Sequence, residues 1–233
     1  MTKLSVVIPA YNEEKRIEST LKKCLDYLNS QRYDFELIVV DDGSSDKTAA
    51  IVKKFKQVKL VNYGANQGKG HAVKIGILNS TGDYVLFCDA DLSTPIEEVG
   101  KLLKFIKDYD VVIASRALKE SNVKTKFYRR LLGRGFAFIV NLFAVSGVKD
   151  TQCGFKLFKN QASKKIFVKQ LISGWAFDVE VLFLARKFGY KIKEVPVRWM
   201  HFDHAGVNPT GSTFRMLREI FKIRINSLLG KYK

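Results

Sequence analysis

Over its first 115 or so residues the chain repeats one pattern five times: a short apolar run, a polar loop, then an amphipathic segment. The apolar runs are Leu4–Pro9, Phe35–Val40, Val58–Tyr63, Asp83–Cys88 and Asp110–Ser115. Unbroken apolar runs of this length read as strands buried on both faces. The segments between them carry apolar residues at helical spacing, as at Ile17, Leu21, Leu25 and Leu28. Strand and helix in alternation predict a parallel, doubly wound α/β sheet. Pro9 is expected to end the first strand, because proline cannot donate to a ladder. Helices are expected over about Lys15 to Leu28, from a cap at Ser45 or Asp46 to about Lys56, over His71 to Asn79, and over Ile96 to Lys107.

The rhythm changes after Arg116. Lys119 to Arg134 is basic. Phe136 to Val145 is apolar and aromatic and predicts a helix, and Asp150 to Phe158 reads as a turn and a strand. Phe177 to Phe188 reads as a helix, and Ile192 to Trp199 as one edge strand, since it contains Pro196. His201 to Thr213 reads as a polar loop. From Thr213 the tail predicts a basic amphipathic helix, with Phe214, Leu217, Ile220, Phe221, Ile225 and Leu228 recurring among lysines and arginines. With no linker or repeat, we read a single domain. Residues 1–116 form a nucleotide-binding half, and residues 117–233 an acceptor-binding half that ends in the basic helix.

In such a sheet the loops at the carboxyl ends of the strands share one crevice. Here those loops carry Tyr11, Asp42, Lys69, Asp89, Asp91 and Arg116. Tyr11 can stack on a base, Asp42 can accept a hydrogen bond from a base or ribose, and Lys69 can approach a phosphate or base. Asp89 and Asp91, at i and i+2, offer hard oxygen ligands to Mg²⁺ or Mn²⁺, whose remaining ligands are usually water and substrate phosphates. Lys69 is followed by Gly70, so Gly64 to Gly70 is not a P-loop. Strand one does not lead into GxGxxG, which disfavours a dinucleotide fold.

Forty lysines and arginines against 23 aspartates and glutamates leave a net charge of +17. That excess calls for an anionic partner: nucleic acid, a phosphate-bearing substrate or an acidic membrane surface. No known nucleic-acid reader motif organises the basic residues, so nucleic acid is not expected as a partner. Cys24, Cys88 and Cys153 form no CxxC pair, and a reducing cytoplasm suits them. With no N-terminal apolar signal and no apolar stretch near the ~20 residues a bilayer requires, a soluble chain is expected.

Val6 to Glu14, Val39 to Asp46 and Asp89-Ala90-Asp91, in this order and spacing, resemble the family 2 glycosyltransferases of the GT-A fold, a mostly parallel, Rossmann-like sheet flanked by helices. Asp150 to Phe158 and Trp175 to Glu180 look like the branch that transfers a sugar to dolichyl or polyprenyl phosphate, its glucose-transferring members above all and its mannose-transferring members next. The resemblance implies a metal-dependent, inverting hexosyltransferase. Its donor would be a nucleotide sugar, UDP-glucose ahead of GDP-mannose, and its acceptor a polyprenyl phosphate. It would work peripherally at the cytoplasmic face of a membrane, and its oligomeric state stays open. A hydroxyl acceptor on a growing glycan is the alternative within the family.

Residue by residue, the resemblance implies that Pro9, Tyr11, Glu13 and Asp42 line the nucleotide site. Asp89 and Asp91 would surround a Mg²⁺ or Mn²⁺ on the donor diphosphate, and Arg116 and Arg129 would hold phosphates near the reaction centre. Ser93 stands where mannose-transferring members have a metal-facing glutamine. Their C-terminal loop lysine is missing here, and Arg198, His204 or Arg215 is expected to compensate at the acceptor. Asp178 matches the place where hydroxyl-using relatives put a base. Its other reading is orientation of an arginine.

Overall fold

The computed structural model describes residues 2–124, 145–200 and 209–233, with side chains in the last segment from Met216 onward. Nine strands are described: β1 Lys3–Ala10, β2 Asp34–Asp41, β3 Val58–Asn62, β4 Tyr84–Cys88, β5 Val111–Ser115, β6 Asn122–Lys124, β7 Phe155–Lys159, β8 Ile192–Pro196 and β9 Arg198–Met200. Seven form one sheet in the order β3-β2-β1-β4-β7-β5-β8, while β6 and β9 form a parallel pair beside it. Strands β3, β2, β1 and β4 run parallel, β5 runs parallel to β8, and β7 lies antiparallel between β4 and β5. A strand from the second half of the chain thus lies within the sheet of the first half.

Side-chain alternation on these strands feeds two cores. On one face Val7, Ile38, Val40, Val85, Phe87 and Phe158 pack with Ala72, Val73 and Ile77 of the helix Lys69–Leu78 and with the helix Phe177–Lys187. On the other, Val6, Ile8, Leu37, Val39, Leu86 and Leu157 pack with Ile17, Leu21, Cys24 and Leu28 of the helix Ile17–Asn29. Burial on both faces explains why the strands read as continuous apolar runs.

Several boundaries differ from the sequence reading. Pro9 does not end β1. Pairing to β4 stops at Val7↔Phe87, but pairing to β2 continues through Pro9↔Val40 to Ala10↔Asp41. The third helix begins at Lys69, not His71. The second is short, Thr48–Val52, with Asp46 Oδ1 accepting the Thr48 N–H at 2.9 Å. The segment after Pro95 is a 3₁₀ turn, Ile96–Glu98, followed by a short helix, Val99–Leu103. The expected strand over Ile192–Trp199 is two strands, β8 at the sheet edge and β9 outside that sheet.

The tail forms the helix Pro209–Leu228, and one side of it belongs to the core. Ile220, Ile223 and Tyr232 are buried. The Tyr232 hydroxyl donates to Glu180 Oε1 at 2.5 Å, and that carboxylate also accepts the N–H groups of Leu171 and Ile172. Burial pushes Glu180 up, against the opposing pull of these donors. Tyr232→Phe leaves a fully buried carboxylate short of a donor, so a loss of about 1–3 kcal/mol is expected in a urea titration. The opposite side exposes Ile225, Leu228 and Leu229. Arg129, residues 136–144 of the expected helix Phe136 to Val145, His204 and the Arg215 side chain lie outside the described residues.

Candidate functional site

The loops after β1, β2 and β3 are stitched to one another. Asn12 takes φ 54°, a left-handed conformation that asparagine tolerates, and its Oδ1 accepts the Ser45 N–H at 2.9 Å. The Asn12 N–H donates to Ser44 Oγ, the Glu13 N–H to Thr48 Oγ1 and the Glu14 N–H to Asp46 Oδ2. The first two motifs therefore hold each other in place. Asp42, nearly fully buried, accepts from the Tyr63 hydroxyl at 2.7 Å and from the N–H groups of Gln67 and Gly68 at 2.8 and 2.9 Å. These contacts tie the third loop down. Gly43 makes room for it: at φ 72°, a Cβ there would lie 2.7 Å from Ala65 C and Asn66 N. Tyr11 stands about half exposed at the mouth, open to a flat ligand. Pro9 is buried in β1 below it.

The Asp89-Ala90-Asp91 turn follows β4. Thr20 Oγ1 donates to Ala90 O at 2.6 Å, and the Ser93 N–H donates to Asp91 Oδ1 at 2.8 Å. Leu92 completes the turn at φ 46°, a conformation that costs a non-glycine residue roughly 1–2 kcal/mol. Such local strain clusters at functional sites. Gly154, just before β7, accepts the Asp89 N–H at 3.0 Å, and a Cβ on Gly154 would lie 2.0 Å from Asp89 Oδ2. Only glycine leaves space for this carboxylate. Glu13 lies close enough to feel both aspartates: burial raises it, Arg16 draws it back, and Asp91 and Asp89 add to the rise.

Lys69 is not a solvated loop tip. Its Nζ lies 2.6 Å from Asp89 Oδ1 and within 6.0 Å of the ring centroids of Trp175, Phe87 and Phe177. The flanking glycines explain how it gets there. A Cβ on Gly68 would meet Ser173 O at 2.5 Å, and one on Gly70 would meet Phe177 Cβ at 2.6 Å. Burial pushes Asp89 up, Lys69 offsets part of the rise and Asp91 adds to it. For Lys69, burial is outweighed by Asp89 and Asp178, and the ammonium is held above its ordinary range.

Asp178, at the start of the helix Phe177–Lys187, is buried and ion-paired to Lys156 of β7, which is equally buried. Its partner is a lysine, not the arginine that the sequence reading considered. Lys156 also donates to Cys153 O at 2.6 Å. Arg116, at the end of β5, is gripped by Asp150: Nε to Oδ2 at 2.8 Å, Nη2 to Oδ1 at 2.9 Å, and its backbone N–H to Oδ2 at 2.8 Å. Its guanidinium also faces the Trp199 ring at 5.3 Å. Burial pushes Asp150 up, but Arg116 more than offsets this and leaves it below the usual carboxylate range. Arg198, on β9, gives its Nε to the buried Glu98 at 2.6 Å and remains mostly exposed.

The arrangement thus brings Tyr11, Glu13, Asp42, Lys69, Asp89, Asp91 and Arg116 to one end of the sheet, as the sequence predicts. What sequence reading missed is their support: Asn12, Asp150, Gly154, Lys156 and Trp175. Asp89 and Asp91 are hard oxygen donors suited to Mg²⁺ or Mn²⁺. Among the described residues no group of three or more His, Cys, Asp or Glu is arranged to hold a metal.

The sequence profile of Glycosyl transferase family 2 matches residues 5–167. Over 249 residues the chain is 39% identical to a dolichyl-phosphate beta-glucosyltransferase of Dictyostelium discoideum, covering 99% of this chain and 76% of that protein. It is 37% identical over 250 residues to the dolichyl-phosphate beta-glucosyltransferase of Homo sapiens, covering 99% and 77%. Among solved structures, mannosyl-3-phosphoglycerate synthase from Rubrobacter xylanophilus matches with TM-score 0.72 at 17% identity, covering 99% of this chain and 75% of that one. Glucosyl-3-phosphoglycerate synthase from Mycobacterium tuberculosis, in complex with Mn²⁺ and uridine-diphosphate-glucose, matches with TM-score 0.66 at 20% identity, covering 99% and 79%. At these identities the two structures bear on fold alone.

Proposed function

The chain belongs to glycosyl transferase family 2 and is a glycosyltransferase of GT-A fold, and we propose that it transfers glucose from UDP-glucose onto dolichyl or a related polyprenyl phosphate. The observation that carries the acceptor class is the Lys156–Asp178 ion pair. A neutral hydroxyl acceptor needs a general base. Asp178, the candidate for that base, is buried and already neutralised by a lysine. A phosphate monoester needs none, because it arrives as an oxyanion. The names of the curated relatives support the same acceptor and the same sugar.

In this reading Tyr11, Pro9, Glu13 and Asp42 form the nucleotide pocket, with Asp42 acting through the loop it holds. Asp89 and Asp91 would hold a divalent cation, which when bound would supply positive charge against the charge developing on the leaving diphosphate. Asp150 fixes the fork of Arg116, and the remaining guanidinium edge of Arg116 orients a phosphate near the anomeric carbon, together with Arg129. Arg198 and Arg215 are assigned to the acceptor side. The acceptor phosphate oxygen forms the new bond to the anomeric carbon as the bond to UDP breaks. UDP leaves with that electron pair, and an α-linked donor gives a β-linked product. If Asp178 is a supporting residue and not a base, the slope of rate against pH is unchanged in Asp178→Asn, whatever the loss in rate. Disappearance of the acidic limb, the fall in rate at low pH where a base is protonated, would favour the hydroxyl-acceptor alternative.

The acceptor's lipid tail calls for a membrane surface, and we assign that contact to the outer side of the helix Pro209–Leu228. No helix among the described residues is long and apolar enough to cross a membrane. Ile225, Leu228 and Leu229 stand 54%, 87% and 65% exposed on a strongly basic chain, as an interfacial helix requires. Removing the helix would unfold the core around Ile220, Ile223 and Tyr232. Substituting Ile225, Leu228 and Leu229 by serine leaves that core intact. This triple variant is expected to lose most of its cosedimentation with phosphatidylserine vesicles and keep its melting temperature. Unchanged cosedimentation would place the membrane contact elsewhere.

A further inference from the structure

Lys69 is an unusual neighbour for a carboxylate that is to receive a divalent cation. Its ammonium already sits 2.6 Å from Asp89 Oδ1. It is not there by the chance of a long surface side chain. The backbone around it is pressed against the segment Ser173–Phe177 by two glycines that tolerate no Cβ, and the Gly70 N–H donates to Ser173 O at 2.8 Å. Trp175, Phe87 and Phe177 present their rings to the ammonium at 5.0, 5.5 and 6.0 Å. Rings at such distances favour a cation. The chain has therefore built a place for one positive charge beside Asp89 and filled it with its own lysine.

We propose that Lys69 is an internal competitor for the divalent cation, so that metal binds this chain weakly by itself and binds well only together with a nucleoside diphosphate. Without Lys69, Asp89 and Asp91 present two negative charges to an incoming cation. With it, one of the two is already neutralised, and Asp91 has an oxygen committed to the Ser93 N–H. The diphosphate restores the missing negative charge and the missing oxygen ligands. The consequence is coupled loading: metal and donor favour each other, and free metal does not occupy the site and lock it. The inference rests on the metal role given above to Asp89 and Asp91.

The test is Mn²⁺ binding, followed by electron paramagnetic resonance at pH 8, with and without UDP. The proteins compared are the wild type, Lys69→Met, Lys69→Gln and Lys69→Arg, each with a melting curve to establish folding. Wild type and Lys69→Arg are expected to bind Mn²⁺ weakly alone and far better with UDP. Removing the charge in Lys69→Met or Lys69→Gln is expected to tighten UDP-free Mn²⁺ binding by about tenfold or more and to shrink the gain from UDP. The glutamine variant gives the answer if the methionine variant does not fold. Mn²⁺ affinity without UDP that is unchanged or weaker in the neutral variants, beside a UDP-dependent wild type, overturns the inference alone. A wild type that takes up no Mn²⁺ even with UDP overturns the metal role of Asp89 and Asp91 and the inference with it.

Discussion

Gly154→Ala is expected to lower glycosyl transfer by about a hundredfold while leaving the protein folded. The added methyl would lie 2.0 Å from Asp89 Oδ2, 2.3 Å from Cγ and 2.6 Å from Oδ1, so the whole carboxylate stands in its way. Backbone cannot yield easily here. The Asp89 N–H is bonded to Gly154 O, and the next pair, Cys88↔Phe155, is already in the β4–β7 ladder. The carboxylate must turn away, and a displacement of about 1 Å at a positioning group can cost about a hundredfold in rate. UDP-dependent Mn²⁺ binding is expected to fall with the rate, because both use the same oxygens. A Gly154→Ala protein with near-normal turnover would mean that the carboxylate of Asp89 is not used as described.

The second large effect is on stability. Lys156→Met is expected to cost roughly 3–5 kcal/mol, because it strands the Asp178 carboxylate where almost no solvent reaches. Asp178→Leu is expected to cost a similar amount by stranding the ammonium. Combining the two is expected to restore much of the loss, since an apolar pair of similar volume often replaces a buried ion pair without penalty. Urea titrations of the four proteins close the cycle and isolate the pairing energy. Additive losses would show that the two groups do not act as a pair. The same cycle bears on chemistry. A pair whose double variant recovers stability and most of its activity frames the site, whereas a general base cannot be replaced by leucine.

Much of this architecture is legible along the chain, and the reason is local. Strands buried on both faces announce themselves as runs such as Val6-Val7-Ile8, and in a parallel sheet their loops must converge. The loops carrying Tyr11, Asp42, Lys69, Asp89 and Arg116 follow from that rule. What stays hidden depends on β7. Its sequence, Phe155-Lys156-Leu157-Phe158-Lys159, gives no sign that it enters the sheet antiparallel between β4 and β5, or that Lys156 is buried there. A lysine in a strand ordinarily signals a solvent-facing position. It is buried here because Asp178, on a helix formed later in the chain, supplies the counter-charge. The grip of Asp150 on Arg116 and the space Gly154 leaves for Asp89 have the same origin. Each joins parts of the chain far apart in sequence, and no periodicity records such a contact.

The glycines around Lys69 make a related point. Read as a loop, they leave Lys69 free to approach a phosphate or base, but in the structure they admit the segment Ser173–Phe177 and deliver the lysine to a carboxylate. Asn12 and its neighbours behave similarly. Their side chains and backbone bind the loop after β2, which gives the first motif a structural function besides any contact with a ligand.

The most direct test of the account is product formation. The wild-type protein and Asp91→Ala would be incubated with radiolabelled UDP-glucose, Mn²⁺ and either dolichyl phosphate or dolichol. The organic-phase product would then be identified by mass and by its anomeric configuration. A β-linked glucosyl phosphate lipid is expected from dolichyl phosphate with the wild type. No product is expected from dolichol, and none from either acceptor with Asp91→Ala or with metal removed by chelation. Glucose on dolichol, or undiminished product with Asp91→Ala in chelator, would contradict it.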